Sequence, residues 1–182
     1  MSIWITSDTH FGHLKEFLWG PRGFKSSLEH DEAIICNWNS VVKPEDEVYH
    51  LGDVMLNDNE HGLECIKRLN GKIHILIGNH DTDTRIELYK TCPNIVSIDY
   101  ATQIKVGKKY FYLSHYPTLV HNYDDYVKIW NLHGHTHSQN KFSEWFHCYN
   151  VCLDAHNNYP VNIENIIQDI NNQKKENNNE SI

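Results

Sequence analysis

The 182-residue chain lacks any run of eighteen apolar residues, so nothing in it reads as a membrane-spanning helix. Its five cysteines (Cys36, Cys65, Cys92, Cys148 and Cys152) are odd in number, scattered and without a CxxC pair. A disulfide framework or a zinc ribbon needs paired, regularly spaced cysteines, so reduced and mostly buried thiols are expected instead. Arginine is scarce, with Arg22, Arg68 and Arg85 the whole complement. The formal net charge is −8, whereas a nucleic-acid backbone is bound by clustered Lys and Arg. Extensive nucleic-acid binding is therefore not expected. The opening "MSIWITSDTH" reaches an aspartate at position 8 before a signal-peptide pattern develops, and the expected location is the cytoplasm. Linkers rich in Pro, Gly or Ser and internal repeats are also missing. One domain over residues 1–173 is expected, followed by a polar, flexible tail over 174–182.

What the chain has in excess is histidine, with 14 residues. Strand-like runs recur at "IWITSDTH" (3–10), "EVYHLGDV" (47–54) and "KIHILIGNHD" (72–81), each ending in polar residues. Helical patterns separate them. Residues 30–42 place Ile34, Trp38 and Val41 on one face, and residues 60–70 place Leu63, Ile66 and Leu69 on another. The β-α-β-α-β alternation predicts an α/β layered fold with buried strands. In the second half, residues 96–117 suggest two strands joined by a tight turn at "VGKK", followed by "IWNLHGHTH" and "YNVCLDAHN". A final amphipathic helix is expected at 162–173, with Ile163, Ile166, Ile167 and Ile170 on one face.

Five polar clusters fall at the carboxyl ends of the expected strands, where open α/β sheets place their ligand sites. They are Asp8 with His10, Gly52 with Asp53, Gly78 to Asp81, Ser114 with His115, and Gly134 to His137. In "NLHGHTHSQN" (131–140) an extended chain would point His133, His135 and His137 to one side. The donors are nitrogen and oxygen without cysteine, a set that suits Mn, Fe, Co, Ni or Zn rather than thiophilic metals. Singly, Asp8, Asp53 and Asn79 would read as turn or N-cap residues. Together with four histidines in order they read as metal ligands.

The order DxH, GD, GNHD, H, GHxH resembles the calcineurin-like metallophosphoesterase superfamily, from Asp8 to His137. "SDTHFGH", "NWNSVVKPEDEVYHLGD", "RLNGKIHILIGNHD" and "NVCLDAHNNYPVNIENI" further resemble a small bacterial and phage subgroup. In the last stretch Cys152 and His156 stand where the subgroup would have Gly and Trp, and neither is assigned a role. The resemblance implies a four-layer α/β/β/α sandwich with mixed sheets. It implies two divalent metal ions, manganese first and Fe, Ni, Co or Zn as alternatives. Asp8, His10 and His137 would hold one ion, Asn79, His115 and His135 the other, and Asp53 would bridge both. Two metals about 3.5–4 Å apart can trap a hydroxide and bind phosphate oxygens. Two divalent cations, two aspartates and a hydroxide sum to about +1, which attracts phosphate even to an acidic protein.

His80 would then give a proton to the leaving oxygen, with Asp81 as the carboxylate that orients it and Asp58 as a more distant alternative. His13 and Arg22, with Asn79 and His80, are the candidate substrate-binding residues; His13 reads equally well as a surface residue. His133 reads as a supporting or core residue, and His50, His61, His74, His121 and His147 as structural or solvated. The aromatics of "KYFYLSHY" read as strand core rather than a base-stacking platform. The expected activity is hydrolysis of small phosphoesters by metal-bound hydroxide, diesters such as cyclic nucleotides before monoesters. Monoesterase or protein-phosphatase-like activity, a nuclease and a non-catalytic metal-binding module are the alternatives. The oligomeric state is left open.

Overall fold

The computed structural model describes residues 1–120, 129–142 and 147–179. His121 lies outside them. The first sheet contains β1 (Ile3–Thr6), β2 (Glu47–His50), β3 (Lys72–Leu76), β4 (Ile95–Asp99) and β9 (Val161–Asn162). Its order is β4-β3-β2-β1-β9, parallel except for the antiparallel edge strand β9. The second sheet has the order β5 (Ala101–Val106), β6 (Lys109–Ser114), β7 (Ile129–His133) and β8 (Cys148–Asn150). There β5 and β6 are antiparallel, while β6, β7 and β8 run parallel.

Side-chain alternation along each strand builds two cores. One face of the first sheet sends Trp4, Val48, Ile73 and Ile75 toward the helices. After the short α1 (Glu16–Trp19), these are α2 (Ser27–Val41), α3 (Asn59–Lys67) and α4 (Asp83–Tyr89), which contribute Ile34, Trp38, Cys65, Ile66 and Tyr89. The opposite face sends Ile5, Leu51 and Leu76 against Phe111, Leu113, Trp130 and Leu132 of the second sheet. The last helix, α5 (Ile163–Asn179), inserts Ile163, Ile166 and Ile170 into that inter-sheet cluster. The fold is thus a sandwich of two mixed sheets with flanking helices. Two helix starts are capped by side chains: the Ser26 hydroxyl accepts from Glu29 N, and the Asp58 carboxylate accepts from His61 N.

Three details differ from the sequence reading. Residues 96–117 contain parts of three strands, because the chain leaves the first sheet at Asp99 and enters the second at Ala101. Exposed Tyr100 is the only link, and period-two alternation runs through it without a break signal. The helix expected at 162–173 continues to Asn179, and residues 180–182 lie outside the described part. The strand carrying the three histidines ends at His133. His135 and His137 have φ values of 69° and 48°, so the three imidazoles do not line one face of an extended chain. Among the described residues, no helix is long and apolar enough to cross a membrane.

Candidate metal centre

The carboxyl ends of β1, β2, β3, β6 and β7 meet at one end of the sandwich, and there the structure gathers the expected residues. Asp8, His10, Asp53 and His115 form a buried floor, while Asn79, His80, His135 and His137 stand exposed at the mouth. Five of these eight hold a left-handed backbone: Asp8 (φ 60°), His10 (49°), Asp53 (57°), His135 (69°) and His137 (48°). That conformation costs a non-glycine residue roughly 1–3 kcal/mol, and its concentration here marks a site whose side-chain directions matter. Close packing of the loops adds to the constraint. A Cβ at Gly134 would sit 2.5 Å from Asp8 Oδ2, and one at Gly78 would collide with the Asp53 carboxylate.

The donor atoms converge in two groups, Asp8 with His10 and His137, and Asp8 with Asp53 and His115. In the first, His10 Nε2 and His137 Nε2 face each other at 3.2 Å. Asp8 Oδ1 lies 3.9 Å from the former and 3.7 Å from the latter, buried and without a hydrogen-bond partner. His137 Nδ1–H donates to Asp154 Oδ2 at 3.0 Å, so in the neutral ring Nε2 carries the lone pair. In the second group His115 Nδ1–H donates to the Leu51 carbonyl at 2.8 Å. Its Nε2 lone pair then faces Asn79 Oδ1 at 2.9 Å and Asp53 Oδ2 at 3.6 Å. Asp53 Oδ2 also lies 3.8 Å from His10 Nε2, so this carboxylate looks toward both groups. The His135 ring packs edge-on to His115, with centroids 5.1 Å apart. Ring nitrogens and carboxylate oxygens that converge at these distances, with the buried Asp8 Oδ1 left unpartnered, fit the binding of cations.

Electrostatics favours the ligating form at two of these histidines. Burial, then the neighbouring His137 and Arg22, hold the His10 pKa well below that of an ordinary histidine. Burial and His115 likewise lower His135. Neutral imidazole is the ligating form. Burial raises the Asp53 carboxyl. For His137 burial acts downward, but the hydrogen bond to Asp154 and the nearby Asp8 carboxylate outweigh it and leave the group raised. Asp154 is itself held well below the usual carboxylate range: its burial is outweighed by the hydrogen bonds from His137 and Arg22.

Two expected roles need correction. Asp81 does not orient His80. Its carboxylate accepts from Asp53 N (2.7 Å), Val54 N (3.1 Å), Gly78 N (2.9 Å) and the Tyr89 hydroxyl (2.7 Å). Hydrogen bonds to a charged group contribute about 1.5–3 kcal/mol each, so Asp81 is the buckle that joins the GD and GNHD loops. Asp58 is engaged as the cap of α3. Among the described residues no carboxylate bonds to the His80 ring, which stands 5.6 Å from the His10 ring between centroids. The His80 backbone is nonetheless fixed, its N–H donating to Asp53 Oδ1 at 2.8 Å and its carbonyl accepting from Arg85.

Arg22 is the second correction. Its buried guanidinium forks onto Asp154, with Nε to Oδ1 at 3.1 Å and Nη2 to Oδ2 at 2.8 Å. It also donates to the Asp8 carbonyl at 2.8 Å and to His30 Nε2 at 3.0 Å. Engaged in this way, it supports the loops rather than meeting a substrate. His13 is not a surface residue: it is buried, with its ring edge-on to His10 at 6.0 Å and to exposed Phe17 at 5.1 Å. His133 is fully buried, as a core or supporting residue should be.

The sequence reading assigns no role to Asp154 or Cys152. Both follow β8, the edge strand of the second sheet's parallel run. The Cys152 thiol donates to Asp8 Oδ2 at 2.9 Å, and the His135 N–H donates to the same oxygen at 2.9 Å. They hold the outer oxygen of Asp8 and leave Oδ1 facing inward. Asp154 does the corresponding service for His137. Residues of this kind typically contribute 10–100-fold to metal affinity. Asp154→Ala is therefore expected to weaken divalent-metal binding by about 10–100-fold with the circular dichroism spectrum retained; unchanged affinity in a metal titration would refute this role.

A two-sheet α/β sandwich that presents Asp, Asn and His donors at one set of strand ends has the architecture of a metal-dependent hydrolase. The chain belongs to the calcineurin-like phosphoesterase superfamily, whose domain model matches residues 1–149. It is 30% identical over 180 residues to an uncharacterized protein of Methanocaldococcus jannaschii, with 91% of this chain and 89% of that protein covered. The gene 66 protein of Mycobacterium phage L5 is 29% identical over 174 residues, covering 80% of this chain and 82% of its own length. Among solved structures, a protein of unknown function from Aquifex aeolicus superposes with a TM-score of 0.68 at 25% identity, over 92% of this chain and 98% of its own.

Proposed function

We propose that the chain is a dinuclear-metal phosphodiesterase acting on small phosphoesters. The observation that carries this reading is the confrontation of His10 Nε2 and His137 Nε2 at 3.2 Å beside the unpartnered Asp8 Oδ1. Asp8, His10 and His137 would hold one ion, Asn79, His115 and His135 the second, and Asp53 would serve both. Manganese is the first candidate, with Fe, Ni, Co or Zn as the others. When bound, such a pair supplies Lewis acidity toward phosphate oxygens and a nucleophile at neutral pH.

The remaining work falls to side chains of the protein. Exposed His80, anchored through its backbone to Asp53 and Arg85, is positioned to give a proton to the leaving oxygen. His13, beside His10, borders the mouth as a substrate contact. The substrate charge that best suits this mouth follows from the arginines. A monoester is largely dianionic near neutral pH and is commonly held by guanidinium forks. Here Arg22 is taken by Asp154, Asp8 and His30, Arg68 by Glu32, and Arg85 by Asn59 and the His80 carbonyl. Small diesters, linear or cyclic, carry a single negative charge and need no such fork. The net charge of −8 also favours a small substrate over a nucleic acid. The expected result is a higher kcat/KM for bis-p-nitrophenyl phosphate than for p-nitrophenyl phosphate under one metal condition. A clear monoester preference would overturn the diester assignment.

A further inference from the structure

A second set of donor atoms converges beneath the loop that carries His10 and His13. Asp31 of α2 is fully buried, and its Oδ2 faces His61 Nε2 of α3 at 3.0 Å. One helical turn further on, Cys65 Sγ lies 3.5 Å from the same nitrogen. The three atoms are all within 4.8 Å of one another. A single imidazole nitrogen cannot satisfy both neighbours. Protonated, it donates to the carboxylate and has no lone pair for the thiol; unprotonated, it accepts from the thiol and opposes the carboxylate. A cation between them would use all three lone pairs.

We propose that Asp31, His61 and Cys65 form a third metal site, separate from the centre at the strand ends and suited to one borderline divalent ion such as zinc. Tetrahedral zinc with ordinary bond lengths sets the oxygen–nitrogen edge at about 3.4 Å and the nitrogen–sulfur edge at about 3.6 Å. The observed 3.0 and 3.5 Å therefore need to open by only a few tenths of an ångström. The His61 side chain is 28% exposed, which leaves a path for the ion and for water as a fourth ligand. Asp31 is already aimed: His30 Nδ1–H donates to its Oδ1 at 2.7 Å, and the Gly12 N–H donates to Oδ2 at 2.9 Å. Burial pushes the Cys65 thiol up to about 12, so the metal-free protein carries S–H there at neutral pH. Binding forms the metal–thiolate bond and releases that proton to solvent.

The sulfur sets this site apart from the nitrogen- and oxygen-only donors proposed for the dinuclear centre. The two are also physically connected. Asp31 leads through His30 to Arg22, from Arg22 to Asp154, and from Asp154 to His137. Asp31 further holds the N–H of Gly12, two residues beyond His10. An ion on Asp31 would thus fix the support of the catalytic loops without touching substrate.

The test is cobalt substitution of the full chain, read by absorption and by metal content. We expect a sulfur-to-cobalt charge-transfer band that persists in a Cys36→Ser, Cys152→Ser double variant and disappears in Cys65→Ser. One ion per chain should be lost with it, and the others retained. Since Cys65 is in the core, His61→Ala, at a partly exposed position, provides a second route: it should lose one ion with circular dichroism unchanged. Absence of the band, its survival in Cys65→Ser, or a metal content that neither variant lowers would overturn the site. Loss of the band only on replacing Cys152 would transfer the sulfur to the catalytic centre and equally refute it. Because the dinuclear reading is tested at Asp53, the two proposals fail independently.

Discussion

Replacement of Asp53 by alanine is expected to remove two divalent ions from the protein together and to abolish turnover of diesters. The reason is geometric. Asp53 Oδ2 lies 3.8 Å from His10 Nε2 and 3.6 Å from His115 Nε2, so one carboxylate faces both halves of the centre. A histidine offers one lone pair in the plane of its ring, whereas a carboxylate has two oxygens that can serve two cations. Removing a shared ligand should not leave one half intact. The loop has means to keep its shape, because Asp81 holds the backbone N–H groups of residues 53 and 54 regardless of the side chain at 53. Metal content measured against wild type at saturating supply checks the claim. A loss of one ion would show that Asp53 is not shared.

His80→Ala should have the opposite signature: metals and fold retained, turnover lost. The ring is exposed, and its residue's hydrogen bonds among the described residues run through the backbone, to Asp53, Thr82 and Arg85. Truncation therefore leaves the proposed ligands undisturbed. General-acid catalysis typically contributes about 10²–10⁴-fold, and a loss of that size is expected on a diester with an alkoxide leaving group. A nitrophenolate leaves without much help from a proton, so the defect should shrink on nitrophenyl esters. This pattern also separates an enzyme from a metal-binding module. Wild-type rates on the alkoxide substrate would remove His80 from the reaction.

The parts of this arrangement legible in the sequence are those that repeat a local rule. Each of the clusters at Asp8, Asp53, Asn79, His115 and His135 follows a hydrophobic run, and a strand end is where such a run delivers its polar residues. The apolar stripes of α2 and α3 and the Gly107–Lys108 turn between β5 and β6 are equally readable. What stayed hidden depends on tertiary closure. Left-handed backbone at Asp8, His10, Asp53, His135 and His137 carries no local signal, because histidines and aspartates in such a conformation look the same in sequence as in strands. The bond from Arg22 to Asp154 spans 132 positions, and that from Cys152 to Asp8 spans 144. Neither pairing follows from periodicity. Asp81, adjacent to His80, invited a role by proximity in sequence, yet its carboxylate turns inward to Tyr89 and the backbone of the neighbouring loop.

The most direct measurement is a crystal structure of the manganese-loaded protein with anomalous differences collected at the manganese edge. Two peaks are expected, one on each side of the Asp53 carboxylate: the first among Asp8, His10 and His137, the second among Asn79, His115 and His135. A single peak, or peaks that do not share Asp53, would contradict the dinuclear centre on which the proposed activity depends.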